Sequence, residues 1–101
     1  MLQVTTTLPS EEQARELARS LVEQRLAACG QVLGPIRSVY WWQGTLTEDT
    51  EWLLIFKTTP ERRATLESAI REQHPYEVPE ILATPATASE AYEEWVRQET
   101  G

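Results

Sequence analysis

Five consecutive residues, Trp52-Leu53-Leu54-Ile55-Phe56, constrain this chain more than any other segment. They form its longest unbroken apolar run and are far too short to cross a bilayer. Glu51 to Thr58 therefore reads as a buried strand. Strand side chains alternate, so Trp52, Leu54 and Phe56 take one face while Leu53, Ile55 and Lys57 take the other. Both faces carry apolar side chains, so both must be covered. At 101 residues the chain is long enough for one domain, residues 1–101, and one core.

The flanking segments supply one cover. Leu2 to Leu8 is β-branched, ends at Pro9, and reads as the first strand. Ser10 with Gln13 fits a capping box, and Ala14, Leu17, Ala18, Leu21 and Val22 recur at the spacing of an amphipathic helix. Gly30 is the expected stop, with Cys29 on the helix end. Gln31 to Thr47 is expected to be extended, bent at Gly34-Pro35 and again at Gly44, with the turn at Glu48-Asp49-Thr50. Thr59-Pro60 opens a second helix that carries Leu66, Ala69 and Ile70 inward and stops before Pro75. Tyr76 to Thr87 is expected to be extended, interrupted by Pro79 and Pro85, and Ala88 to Gln98 closes the chain as a short helix.

The order is β-α-β-β-α-β plus a terminal helix, an α+β fold of the ferredoxin-like split βαβ type. That fold puts both main helices on one sheet face. A bare aromatic face on the other side is an association surface, so an obligate oligomer is expected, with the open faces or the long hairpin buried between subunits. The alternative is that the terminal helix alone covers it.

Composition narrows the function. Sixteen acidic residues against nine basic ones give a net charge of −7, which repels nucleic-acid phosphates and anionic membranes. No basic and apolar leader follows Met1, and Cys29 is the only cysteine, so a reducing cytoplasm suits the chain. Cys29 reads better as a small buried hydrophobe than as a nucleophile. No phosphate loop, nucleophile elbow or catalytic triad order is present, so no enzymatic activity is expected.

The densest candidate segment is His74-Pro75-Tyr76-Glu77-Val78-Pro79-Glu80, held by two prolines between a helix end and a strand. His74, the only imidazole, is either a metal ligand or a helix-end residue that suits the dipole. Glu77 or Glu80, or ligands from other subunits, would have to assist it, because the chain has no zinc or copper ligand spacing of its own. Lys57, the only lysine among eight arginines, either binds an anionic ligand or pairs with Glu80, or else is a strand-edge charge. Tyr40, Trp42, Tyr76, Glu80 and Lys57 make up a candidate cleft, formed between subunits, for an unidentified small ligand. Tyr40-Trp41-Trp42 and Trp52 read first as core and subunit-interface packing.

Leu17-Ala18 through Leu26-Ala27-Ala28-Cys29, Ser38-Val39-Tyr40-Trp41-Trp42-Gln43-Gly44, Leu53-Leu54-Ile55-Phe56-Lys57-Thr58, and His74 to Glu80-Ile81 together resemble the CutA (divalent-cation tolerance) family. Tyr92 and Trp95 match its closing helix. The resemblance implies a homotrimer like the PII signalling proteins and a cytosolic role in tolerance of divalent cations, copper above all. It also implies a copper site whose ligand positions fall on Thr6, Gln73 and His74. Of these only His74 is a ligand type, so a copper site of that kind is expected to be crippled. The alternative function is a PII-like trimeric module that binds a small ligand, or a stable scaffold for a protein partner.

Overall fold

The computed structural model describes residues 1–101. The chain runs β1 (Leu2–Leu8), α1 (Glu11–Glu23), β2 (Cys29–Trp42), β3 (Thr45–Thr58), a 3-10 turn (Pro60–Arg62), α2 (Arg63–Gln73), β4 (Leu82–Pro85) and α3 (Glu90–Thr100). Its four strands form one antiparallel sheet in the order β2-β3-β1-β4. This is the expected split βαβ arrangement, an α+β fold with α1 and α2 packed on one face.

Ser10 caps α1 as its sequence suggests, with its Oγ accepting from the Gln13 N–H at 3.1 Å. The helix then buries Ala14, Leu17, Ala18 and Leu21. These meet Val4, Leu8, Leu54 and Phe56 from the sheet and Leu66 and Ile70 from α2. Leu54 and Phe56 are fully buried, whereas Leu53 and Ile55 on the opposite face are only half-buried.

Three expectations about boundaries need correction. The first helix stops at Glu23, seven residues before Gly30. Arg25 adopts the left-handed conformation (φ 64), and the Leu26 N–H donates to the Leu21 carbonyl at 3.1 Å. That is a helix-ending motif usually served by glycine, so no glycine marks it here. The Arg25 side chain is held by Glu99 at 2.6 Å. Cys29 therefore opens β2 opposite Lys57 and does not end a helix. Gly30 has a different duty: a Cβ there would come within 3.0 Å of the Ala18 Cβ, so its absence lets α1 lie close to the sheet.

The hairpin turn is at Gln43-Gly44, not at Glu48-Asp49-Thr50. Both turn residues have positive φ (48 and 80), as a two-residue turn between twisted strands requires. Glu48, Asp49 and Thr50 lie mid-strand, opposite Val39, Ser38 and Arg37. The expected bend at Gly34-Pro35 is present as a register shift between Leu33 and Ile36, with Trp52 packed so closely that a Cβ on Gly34 would stand 2.5 Å from its ring. Of the extended segment Tyr76 to Thr87, only Leu82–Pro85 pairs, on the edge beside β1.

The hairpin runs well beyond the helices and stretches the molecule to 44 Å along its long axis. Val39, Trp41 and Leu46 share one side of this ribbon, and Trp41 is 72% exposed. On the open side of the sheet, α3 reaches the end of β2, where the Tyr92 hydroxyl lies 3.7 Å from Cys29 Sγ. Leu33 and Leu82 on this side stay exposed, so the terminal helix does not cover it alone.

Candidate functional site

The segment after α2 turns across the open sheet face and encloses a groove of about 700 Å³. β1 supplies Thr7, β3 supplies Glu51 and Leu53, and β2 supplies Ile36, Ser38, Tyr40 and Trp42. Pro75 to Val78 and Glu80 form the other wall. Of the residues expected in a cleft between subunits, Tyr40, Trp42, Tyr76 and Glu80 come together within one chain, joined by Glu77. Lys57 does not. It shares the open face with Leu53 and Ile55, as alternation requires, but its ammonium donates to Gln31 away from the groove.

The groove therefore presents Glu51, Glu77 and Glu80 with no lysine, arginine or histidine among its lining residues. An acidic groove on a chain of net charge −7 attracts cations, which suits a divalent ion and not the anionic ligand that Lys57 would bind. Glu51 was not singled out in the sequence. It is 6% exposed, and its Oε2 accepts from the Tyr76 hydroxyl at 2.7 Å. Its signal was the same period-two alternation that places Leu53, because residue 51 must share that face. Burial, then the Glu51 carboxylate, holds the Tyr76 phenol protonated far above its ordinary range. Tyr40 donates to Asp49 at 2.5 Å, a bond that raises its own pKa, and Glu80 accepts from Thr5 at 3.1 Å.

His74 faces inward. Its Nδ1 accepts the Tyr76 backbone N–H at 3.1 Å, which leaves the proton on Nε2 to be donated to the Thr7 carbonyl at 2.8 Å. Both ring nitrogens are engaged within the chain, and the imidazole pins the groove segment to β1. Burial lowers its pKa, against smaller raising effects from the Thr7 carbonyl and Glu51. The folded state thus prefers neutral His74, and the unfolded chain takes up its proton first. The stabilising effect is complete above the unfolded value near 6.5 and is lost as pH falls through that value toward the lower folded one. We expect the urea midpoint to drop between pH 7.5 and 5.5, and the drop to be smaller in His74→Gln. An equal drop in both proteins would show that other groups govern it.

The positions implied for a copper site do not offer a set of free ligands. Thr6 is fully buried on the helix-facing side with its hydroxyl unpaired, and Gln73 accepts from Ser20 on α1. No group of three histidine, cysteine or carboxylate side chains is placed to hold a metal ion within one chain. The residues of a single chain thus do not fit a closed metal site.

The strand order, the two helices on one face and the long hairpin define a ferredoxin-like α+β protein with an acidic, aromatic groove on its open sheet face. Residues 2–99 match the family described as CutA1 divalent ion tolerance protein, and the chain belongs to that family. It is 46% identical over 99 residues to the divalent-cation tolerance protein CutA of Thermus thermophilus, covering 97% of this chain and 96% of the relative. The Thermotoga maritima protein of the same name is 42% identical over 99 residues, with 97% of each chain covered. The solved structure of the Thermus thermophilus protein superposes with a TM-score of 0.94 over all of both chains, at 46% identity. The family is named for tolerance of divalent ions and not for a reaction.

Proposed function

We propose that this chain works in the cytoplasm as a homotrimer that binds cations in the response to divalent metal ions, copper among them, without catalysing a reaction. The observation that carries this reading is the groove itself, three carboxylates with no basic residue in its lining, in a chain of the divalent-ion tolerance family. The exposed apolar side chains of the hairpin and the open sheet face support assembly, since patches of this kind are association surfaces.

His74 is not the metal's anchor, because both of its nitrogens have partners inside the fold. Exposed Glu77 and Glu80 are the available donors, and a metal ion held by them completes its shell from other copies or from water. Calorimetric titration of the assembled protein with Cu2+ tests this. Binding is expected to persist in His74→Ala and to weaken about tenfold or more in the Glu77→Gln, Glu80→Gln double variant, as losing two anionic donors requires. Absence of binding at millimolar Cu2+, or its loss in His74→Ala alone, would overturn the assignment.

A further inference from the structure

We propose that Lys57 of the partner subunit docks at the mouth of the groove, with its ammonium on Glu77 and Glu80, so that a neighbouring copy of this chain completes the site. This rests on the assembly proposed above but not on the metal.

Charge and direction carry it. The strands hold two basic residues, Arg37 and Lys57. Arg37 lies on the side of Val39 and Trp41, turned from the groove, and pairs with Glu48. Lys57 lies on the open face, and none of the chain's ion pairs includes it. Its ammonium donates instead to the uncharged Gln31 side chain on β2. Because β2 is an outer strand of the sheet, Lys57 leans over a free edge, away from β1 and β4. The groove carboxylates lie the other way. Glu80 accepts from Thr5 on β1, the strand beside β4 at the opposite edge, and like Glu77 it is exposed and absent from every ion pair. The open face thus holds an unpaired cation toward one edge and unpaired carboxylates toward the other. Setting one edge against the opposite edge of the next copy is a head-to-tail contact, the kind that closes into rings. Each copy then gives one ammonium and receives one, which lessens the repulsion among chains that each carry −7. Ion pairs between subunits fix register more than they add affinity. The exposed apolar hairpin supplies the energy of assembly, and Lys57 sets how the copies are aligned.

The experiment is zero-length carbodiimide coupling of the assembled protein, in metal-free buffer because a divalent ion at Glu77 and Glu80 competes with the ammonium. Lys57 is the only lysine, so every lysine-derived amide starts from it. Denaturing electrophoresis should show bands of two and of three covalently joined chains. Peptide mapping should place the new amide between Lys57 and Glu77 or Glu80, whereas a link within one chain adds no band. Lys57→Arg keeps the positive charge but removes the reactive amine, so it should sediment as the unsubstituted protein does and lose the bands. Four results would overturn the proposal and leave the assembly standing: no joined chains from an assembled sample, bands that end at two chains, bands retained in Lys57→Arg, or an amide on a carboxylate outside the groove. An unsubstituted protein that sediments as single chains would remove the assembly reading as well.

Discussion

Trp41→Glu combined with Leu46→Glu is expected to reduce the assembled protein to single chains. Sedimentation velocity should show a fall from about 35 kDa, the mass of the proposed homotrimer of an 11.6 kDa chain, to the mass of one. The two residues face each other across the hairpin and share their side with Val39. All three lie where the ribbon has outrun α1 and α2, so no part of their own chain covers them. Burying an aliphatic or aromatic side chain contributes roughly 1.5–3 kcal/mol, and a trimer repeats each contribution at every interface. Two carboxylates in that patch remove the gain and add an uncompensated desolvation cost. Because both positions are exposed in the single chain, its helices and sheet should survive, with circular dichroism unchanged per residue. A mass that stays at three copies would show that the hairpin does not hold the assembly together.

Phe56→Ala is expected to be the most damaging single truncation within the fold, at about 3–5 kcal/mol. Phe56 is fully buried, pairs with Val4 on β1 and Gly30 on β2, and lies in the same core cluster as Ala18. The close approach of α1 at Gly30 leaves little freedom for the backbone to collapse into the space left by the ring. Urea unfolding at one fixed protein concentration measures it, since the proposed assembly would make the midpoint depend on concentration. A loss below about 1 kcal/mol would mean that the core repacks, contrary to the geometry around Gly30.

The strands and both main helices were legible because hydrophobic period and capping residues agree there. Ser10 and Gln13 announce α1, and the two-faced run from Trp52 to Phe56 announces a strand needing two covers. What was missed depended on conformations that side-chain chemistry does not advertise. Arg25 ends α1 in a conformation usual for glycine, and the long-range partner that holds it, Glu99, is 74 residues away. The polar Glu48-Asp49-Thr50 resembles a turn only because a hairpin standing clear of the core has water on it. Gln43-Gly44, the true turn, is a muted form of the usual Asn-Gly signal. In the groove, the aromatic residues and Glu80 could be picked out by composition and by the proline-bounded segment. Glu51 was passed over, although alternation puts it on the groove face, because a carboxylate next to an apolar run looks like the strand's polar end until Tyr76 is folded over it.

Between Leu33 and Ile36, β2 advances three residues while β3, from Leu53 to Glu51, advances two. That single surplus residue exchanges odd for even along the rest of the hairpin. Tyr40 and Trp42 turn toward the groove because of it, and Val39 and Trp41 turn away. The ribbon is therefore written in two interleaved alphabets, one for what the protein holds and one for what it joins. Substitutions can edit either alphabet letter by letter, but one residue lost or gained at this bulge would transpose the two while leaving every strand in place. Descendants of this chain should accordingly vary in spelling along the hairpin far more freely than in length.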